Sequence, residues 1–224
     1  MLGRIVLAEA ALETIPRELW SHPSIYRYSR KRGKPPYRLL LDAAQHHQAM
    51  RRLPGREYRG RPDIVHATLL ALLESPLCTK GGCEAVVATV GGHVIRVRPG
   101  TRLPRNYLRF TGLMEQLLSE GRVPPGPGEP LLWLEQGGLR EVLQRYRPLA
   151  LLPGAERAAG LEEVVEADTI LVPATPRSEP TPRLLAALEE AGLEAFRLRG
   201  LEGAEPWVIV SRLLCAAEQA AGLL

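Results

Sequence analysis

The segments LALL (149–152), TILV (169–172) and EAFRLR (194–199) decide the fold of the second half of this chain. Each is a short apolar run of the length of a buried strand. Helical patterns alternate with them, at residues 138–145, 182–191 and 207–223. Strands and helices that alternate with short connections are typical of a parallel sheet that helices cover on both faces. The sequence therefore predicts an α/β fold.

The first half of the chain adds a strand, a helix and a hairpin. Residues 4–8 (RIVLA) form a buried strand signal, and residues 62–73 (PDIVHATLLALL) have helical periodicity behind a proline suited to a first turn. Two β-rich runs at 84–90 and 93–99 are separated by a Gly-Gly dipeptide. Such a dipeptide between strands predicts a β-hairpin.

Charge is distributed unevenly along the 224 residues. Residues 1–113 hold 19 Lys and Arg against 8 Asp and Glu, a net charge of +11, whereas residues 114–224 hold 10 against 17, a net charge of −7. A basic half of this kind favours a polyanionic partner. The segment 121–130 (GRVPPGPGEP) is rich in proline and glycine and predicts a linker between the halves.

The stretch 22–38 (HPSIYRYSRKRGKPPYR) is the most basic of the first half. Tyr26, Tyr28 and Tyr37 are interleaved with its cations, and its glycine and prolines predict a loop or a broken helix. Cations and aromatic rings together are typical of a surface that contacts phosphates and bases. A solvated loop with ordinary charges is the alternative.

Composition and motifs exclude several classes of protein. Hydrophobic residues make up 45% of the chain and charged residues 24%, as in globular proteins, and no apolar run approaches the ~20 residues of a membrane span. The motifs GxSxG, GxxxxGK[ST], GxGxxG and HExxH are absent from the sequence. The three cysteines have neither a disulfide framework nor a metal-ligand spacing, so we expect no metal and a cytoplasmic location.

Arg61-Pro62-Asp63 stands where the helix 62–73 begins. The Asp63 carboxylate can accept hydrogen bonds from the free amides of the first turn, and it can also hold the Arg61 guanidinium in a fixed orientation. The residues leave both readings open, a helix cap and a positioned arginine.

Three arginines lie in the segment 101–110 (TRLPRNYLRF), where periodicity predicts a helix over 101–118 that begins near Pro104. We call Arg102, Arg105 and Arg109 the arginine track. Arg105 and Arg109 are four residues apart and are expected on one helical face. Cations at a helix N-terminus oppose its dipole, so their presence favours a bound phosphate backbone, with a solvated face as the alternative.

Four segments together resemble one family. They are RGRPDIVHATLLALLESPL (59–77), RVRPGTRLPRNYLRFTGLMEQLL (96–118), VLAEAALETIP (6–16) and WVIVSRLLCAAEQAAGLL (207–224). The chain resembles the pseudouridine N1-methyltransferases of ribosome biogenesis, in the SPOUT (trefoil-knotted) class. This resemblance implies a single SPOUT-like α/β domain over residues 1–224, with a C-terminal trefoil knot and a hairpin-containing N-terminal extension. Residues 1–120 would be the RNA-binding half and residues 131–224 the cofactor-binding half.

The resemblance also implies partners and site residues. It implies S-adenosyl-L-methionine as the cofactor, small-subunit ribosomal RNA as the substrate and a homodimer as the assembly. Arg61 and the arginine track would contact the RNA, and Asp63 would hold Arg61. The cofactor would be bound by Leu152, Pro173, Ser178, Arg199, Gly200, Leu201, Glu202, Gly203 and Ala204. No residue is identified as the general base.

The cofactor half departs from the family pattern. After TILV the family usually reads Gly-Gly-Phe-Pro-His-Gly, whereas this chain reads PATPRS at 173–178 and keeps only Pro176. Proline in place of the first glycine removes an amide donor. An RNA-binding ribosome-assembly factor without methyl transfer is therefore the alternative function.

Overall fold

The computed structural model describes residues 2–176 and 179–224. The strands are β1 (Arg4–Ala10), β2 (Glu84–Thr89), β3 (Val94–Val97), β4 (Arg122–Val123), β5 (Leu132–Glu135), β6 (Leu149–Leu151), β7 (Arg157–Ala159), β8 (Thr169–Pro173) and β9 (Ala195–Leu198). The helices are α1 (Pro23–Arg32), α2 (Ala43–Met50), α3 (Pro62–Leu73), α4 (Pro76–Thr79), α5 (Tyr107–Glu120), α6 (Leu139–Tyr146), α7 (Leu161–Val164), α8 (Pro182–Glu190) and α9 (Pro206–Ala220).

The strands form one mixed sheet in the order β4-β5-β3-β2-β1-β8-β6-β9-β7. In this sheet order, every neighbouring pair between β2 and β7 is parallel. The pairs β2–β3, β3–β5 and β5–β4 are antiparallel. The predicted α/β fold, the parallel sheet and the hairpin are confirmed, and the antiparallel strands β3, β5 and β4 make the sheet as a whole a mixed one. Residues 90–93, which connect β2 to β3, are too few for the crossover that a parallel pair requires, so the chain returns antiparallel.

Helices cover both faces of the sheet. Alternate side chains of β1 point to opposite faces, so Ile5 and Leu7 join one apolar cluster with α3, α5 and α9, while Val6 and Ala8 join another with α6 and α8. All four side chains are fully buried. The prediction of helices on both faces is therefore confirmed.

Residues 15–60 pack around a third, smaller apolar cluster that includes Ile25, Leu41 and Met50. We call this segment the N-terminal module. Within it, most of the stretch 22–38 is helix α1, which ends where Gly33 takes a positive φ of 62°. Of the two predictions for this stretch the broken helix is confirmed, because α1 ends at Gly33 and a short 3-10 turn follows at Pro36–Arg38.

The segment 121–130 begins with β4, whose residues pair with β5. It is therefore the start and loop of an antiparallel hairpin rather than a linker between independent halves. Within the described part of the chain, no helix is long and apolar enough to cross a membrane.

Candidate functional site

A cavity of about 450 Å³ lies at the carboxyl ends of β6 and β8. The last residues of these strands, Leu151 and Pro173, form part of its wall. The remaining lining residues are Pro153, Thr175, Pro176, Glu179, Gly203, Ala204, Glu205, Pro206 and Ile209. Ligands of open α/β sheets bind outside the carboxyl ends of the strands, and cofactor cavities commonly measure about 300–1,000 Å³. The position and the volume of this cavity fit a small organic cofactor.

The loop that follows β8 is attached to β1 at both of its ends. At one end the Ala174 amide donates to the Ala8 carbonyl at 2.8 Å, and at the other the Thr181 hydroxyl donates to the Glu9 carboxylate. The same hydroxyl accepts from the Leu184 amide at 3.0 Å and so caps α8. Glu9 is buried and has a φ of +52°, a left-handed conformation that is uncommon outside glycine. Backbone strain of this kind concentrates at functional sites.

The structure brings some of the predicted cofactor residues together. Pro173, Gly203 and Ala204 line the cavity from the ends of two different loops. Leu152 is buried in the apolar cluster on the α6 and α8 face of the sheet, one residue beyond the strand end that reaches the cavity. Ser178 lies outside the described residues.

The other predicted cofactor residues belong to the turn that leads from β9 to the cavity. The Arg199 amide donates to a carbonyl of β7 at 3.0 Å, and the exposed Glu202 follows the half-buried Leu201. Gly200 and Gly203 have φ values of +76° and +75°, so both positions require glycine for an unstrained turn. This turn places Gly203 in the cavity wall.

Sequence reasoning missed several cavity residues. Leu151, Thr175, Glu179, Glu205 and Ile209 line the cavity beside the predicted ones. Thr175 and Glu179 fall in the loop after β8, and Glu205 stands directly before the proline that opens α9. Their positions just after a strand or before a helix were the available signal.

Arg61 and Asp63 form a bidentate ion pair at the start of α3. The distances are 2.8 Å from Nε to Oδ1 and 2.7 Å from Nη2 to Oδ2. Partial burial raises the pKa of Asp63, but hydrogen bonds from Arg61 and from the amides of Asp63 and Ile64 outweigh it and lower the pKa overall. Asp63 thus holds Arg61 in a fixed orientation, as one of the two readings predicts, whereas the N-cap residue of α3 is Arg61 itself, which has no side-chain cap hydrogen bond.

The charge of Arg61 reaches the cavity. Its hydrogen bond to Asp63 is the main cause that raises the pKa of the guanidinium, and the nearby carboxylates of Glu205 and Asp42 add to it. Glu205 is a wall residue of the cavity. Arg61 is therefore near enough to the cavity wall for its charge to act on Glu205.

The arginine track differs in geometry from the prediction. Helix α5 begins at Tyr107 with Asn106 as its cap, so Arg102 and Arg105 precede the helix and only Arg109 lies on it. The expectation of Arg105 and Arg109 on one helical face is wrong. The reason is that the Asn106 side chain accepts from the Arg109 amide at 3.1 Å and fixes the start of α5 three residues after Pro104.

All three side chains of the arginine track are exposed. Arg105 makes a bidentate ion pair with Glu74 at the end of α3, with both distances at 3.0 Å. Arg105 also lowers the pKa of Glu74 through this pair, with a smaller contribution from the nearby Arg102. The track therefore runs along the surface beside α3.

His66 holds the loop of the arginine track against α3. Its Nε2 lies 2.7 Å from the Pro104 carbonyl oxygen, and its ring stacks on Phe110 with 4.3 Å between centroids. Further along, the Tyr107 hydroxyl donates to the Asp42 carboxylate at 2.6 Å. His66 has a packing role, and it holds the loop of the arginine track against α3, the helix that carries Asp63.

The fold and the site together define a class, an α/β protein with a cofactor-sized cavity at the carboxyl ends of parallel strands and an arginine whose charge reaches its wall. Within this class, the family model described as EMG1/NEP1 methyltransferase matches residues 5–218. The chain belongs to this family.

Similar proteins agree with this assignment. The chain is 42% identical over 224 residues to the ribosomal RNA small subunit methyltransferase Nep1 of Pyrobaculum calidifontis, covering 98% of this chain and 99% of that protein. It is 50% identical over 141 residues to the Nep1 protein of Staphylothermus marinus, where the alignment spans 63% of this chain and 61% of the relative. The crystal structure of Archaeoglobus fulgidus Nep1 bound to S-adenosylhomocysteine has a TM-score of 0.86 and 37% identity, covering 99% of this chain and 100% of that one.

Proposed function

We propose that this chain transfers a methyl group from S-adenosyl-L-methionine to N1 of a pseudouridine in small-subunit ribosomal RNA, as a step in small ribosomal subunit biogenesis. Family membership and the names of its relatives support this activity. The observation that carries the proposal is the cavity at the ends of β6 and β8, whose wall residue Glu205 lies within electrostatic reach of Arg61.

The residues present fit the cofactor. The cavity of about 450 Å³ has apolar wall residues such as Ile209 together with polar groups from Thr175 and Glu205. Gly203 adds backbone that approaches without a side chain. The departures at 173–178 leave this cavity in place, since Pro173 forms part of its wall and keeps its carbonyl. The bound cofactor supplies a methyl group on a sulfonium sulfur and leaves as S-adenosylhomocysteine.

On the RNA side, Arg61 prepares the acceptor atom. N1 of pseudouridine carries a proton that must leave as the new N–C bond forms. A guanidinium beside the base favours its anionic form and lowers the pKa of N1. Asp63 is ionised at neutral pH, but its lowered pKa makes it a weak base. We therefore give Asp63 the role of positioning Arg61, and the arginine track the role of binding RNA phosphates.

Two structural features belong to the same proposal. We infer from the family resemblance that residues 131–224 form a trefoil knot and that the chain is a homodimer. The dimer is tested by light scattering, where a mass near 25 kDa for the particle would contradict it, because one chain has a mass of 24.7 kDa. The cytoplasmic location stays a prediction that rests on the cysteines.

The test of the activity uses one RNA in two forms. We expect the purified chain to bind S-adenosylhomocysteine with micromolar affinity in calorimetry and to methylate the RNA that contains pseudouridine. The same RNA with uridine at that position is the matched control, because the glycosidic bond of uridine occupies N1. Binding of RNA without any binding of S-adenosylhomocysteine would replace this proposal by the alternative, a ribosome-assembly factor without methyl transfer.

A further inference from the structure

The N-terminal module carries far more positive charge than its own packing uses. Residues 15–60 include 11 Lys and Arg against 3 Asp and Glu, a net charge of +8. A concentration of like charge in one small module opposes folding by self-repulsion. A cation that forms an ion pair within the protein stabilises the fold, so the ion pairs show which of these cations have a structural role.

Two buried carboxylates from outside the module use three of the cations. Glu115 on α5 is 2% exposed and pairs with Arg32 at 3.0 Å and Lys34 at 2.7 Å. Glu13 pairs with Arg59, whose Nε lies 2.7 Å from Oε1. These ion pairs attach the module to the sheet and to α5. They account for the cations that face inward.

The outward face of α1 has a different character. Ile25 and Tyr28 pack inward, whereas Tyr26, Arg27 and Arg30 are exposed. Lys31 is also exposed, so that Tyr26 and Arg30, and likewise Arg27 and Lys31, are four residues apart on one helical face. In residues 2–176 and 179–224, the three cations of this face form no ion pair with an acidic side chain.

Exposed aromatic rings accompany these cations. Tyr26 is 61% exposed and Tyr37 is 53% exposed. Trp20 lies beside Tyr37 with 5.8 Å between ring centroids. Cations near the C-terminus of a helix are favourable for its dipole, which explains Arg30 and Lys31 in part. The dipole explains neither Arg27 in the middle of α1 nor the aromatic rings left in water.

The module also adjoins the substrate side of the site. Its last residue, Gly60, precedes Arg61 directly, and its Asp42 accepts from Tyr107 at the start of α5. The module is thus joined directly to Arg61 along the chain and to the start of α5 through Asp42.

We propose that the outer face of α1 binds single-stranded RNA that flanks the target nucleotide. Arg27, Arg30 and Lys31 contact its phosphates, and Tyr26 stacks on a base. Cationic grooves with exposed aromatic rings bind single strands in this way without reading sequence. This inference rests on the proposed function for its substrate class, and it extends the RNA contact beyond the methylated residue.

The experiment compares two RNAs and two triple variants of the full chain. One RNA holds only the target loop, and the other adds single-stranded flanks on both sides. The test variant is R27Q/R30Q/K31Q, and the control K80Q/R140Q/R157Q removes the same charge from exposed cations outside the module. Affinity is measured over a series of salt concentrations, and melting temperatures verify folding.

We expect the wild type to bind the flanked RNA more tightly and with a steeper salt dependence. The test variant should flatten the slope of log K against log salt for that RNA by about 2, since each phosphate contact on a single strand contributes about 0.7. The short RNA should be bound equally by all forms. Y26A should weaken binding of the flanked RNA by roughly tenfold, in the range of a lost base stack.

Three results would overturn the inference. They are a test variant that does not differ from the wild type on the flanked RNA, a control that loses as much affinity as the test variant, and an equal loss of affinity for the short RNA. A wild type that binds both RNAs as expected but neither binds S-adenosylhomocysteine nor methylates RNA would contradict the proposed function and leave the α1 surface standing.

Discussion

The hydroxyl of Thr181 makes two contacts that a single substitution removes. In Thr181→Val the cap of α8 and the hydrogen bond to Glu9 are both lost, while the shape of the side chain is kept. A lost helix cap costs about 1 kcal/mol. Loss of a hydrogen bond to a charged group costs about 1.5–3 kcal/mol, and here it needs no discount for solvent because Glu9 is 4% exposed and Thr181 6%. We expect the free energy of unfolding to fall by about 2.5–4 kcal/mol.

The same substitution should weaken cofactor binding, because it releases one end of the loop that lines the cavity. We expect the Kd for S-adenosylhomocysteine, measured by calorimetry below the melting transition, to rise about tenfold, equivalent to about 1.4 kcal/mol. Thr181→Ser keeps the hydroxyl and should restore both quantities. Ser75→Ala is the matched control, since the Ser75 side chain caps α4 with no acidic partner.

The cap alone is separated from the Glu9 contact by a double-mutant cycle. In a Glu9→Ala background, which removes the acceptor, Thr181→Val should cost only the value of a cap, about 1 kcal/mol. If Thr181→Val costs no more stability than Ser75→Ala and leaves the affinity for S-adenosylhomocysteine unchanged, the argument that Glu9 positions the loop is refuted.

Further predictions concern Asp63, the arginine track and His46. Asp63→Asn should lower methyl transfer strongly while the melting temperature stays nearly constant, since Asn also caps helices but cannot hold Arg61 as an ion pair; an equal loss of stability and activity would favour capping alone. Each single substitution of the arginine track by Ala should weaken RNA binding and flatten its salt dependence by about one unit of slope or less, and unchanged slopes in all three variants would contradict a phosphate-binding role. Burial lowers the pKa of His46 to about 4, so the unfolded state binds more protons than the folded state between pH 4 and pH 6.5. The free energy of unfolding should therefore fall as the pH drops through this window, by up to about 1.4 kcal/mol per pH unit. Urea unfolding at pH 7 and pH 5 measures this loss, and His46→Phe should reduce it.

Local signals explain which elements the sequence predicts well. Helix α3 is predicted from Pro62 to Leu73 with its observed bounds, because a proline at the first turn and an apolar face act within one segment. The hairpin of β2 and β3 is also predicted from a local signal, the Gly-Gly dipeptide between two β-rich runs. In contrast, β5 was missed, since its only reason to be a strand is its pairing with β3 and β4. The start of α5 differs from the prediction because Asn106, and not a residue beside Pro104, caps the helix.

In the candidate site, too, local features are predicted from the sequence and features that depend on distant contacts are not. Arg61 and Asp63 are two residues apart, so their pairing is a local property that the sequence already indicates. The cavity is different, because Leu151, Pro173 and Gly203 come from three distant segments that meet only when β6, β8 and α9 pack together. Their positions after strand ends predict the edge of the sheet at which they lie, but not which side chain faces the cavity.

The central position of β1 sets how the two halves of the chain work together. On one side it pairs with β2, which comes after the segment of Arg61 and α3, and on the other with β8, which leads into the cavity. Both pairings are ladders of backbone hydrogen bonds, and the β1–β2 ladder has one register shift, between Leu7 and Ala10. For the proposed function we therefore expect the sheet to hold the RNA-binding arginines and the cavity at a nearly constant separation. On that basis the larger movement belongs to the nucleic acid, whose target nucleotide leaves its stack to reach the cofactor.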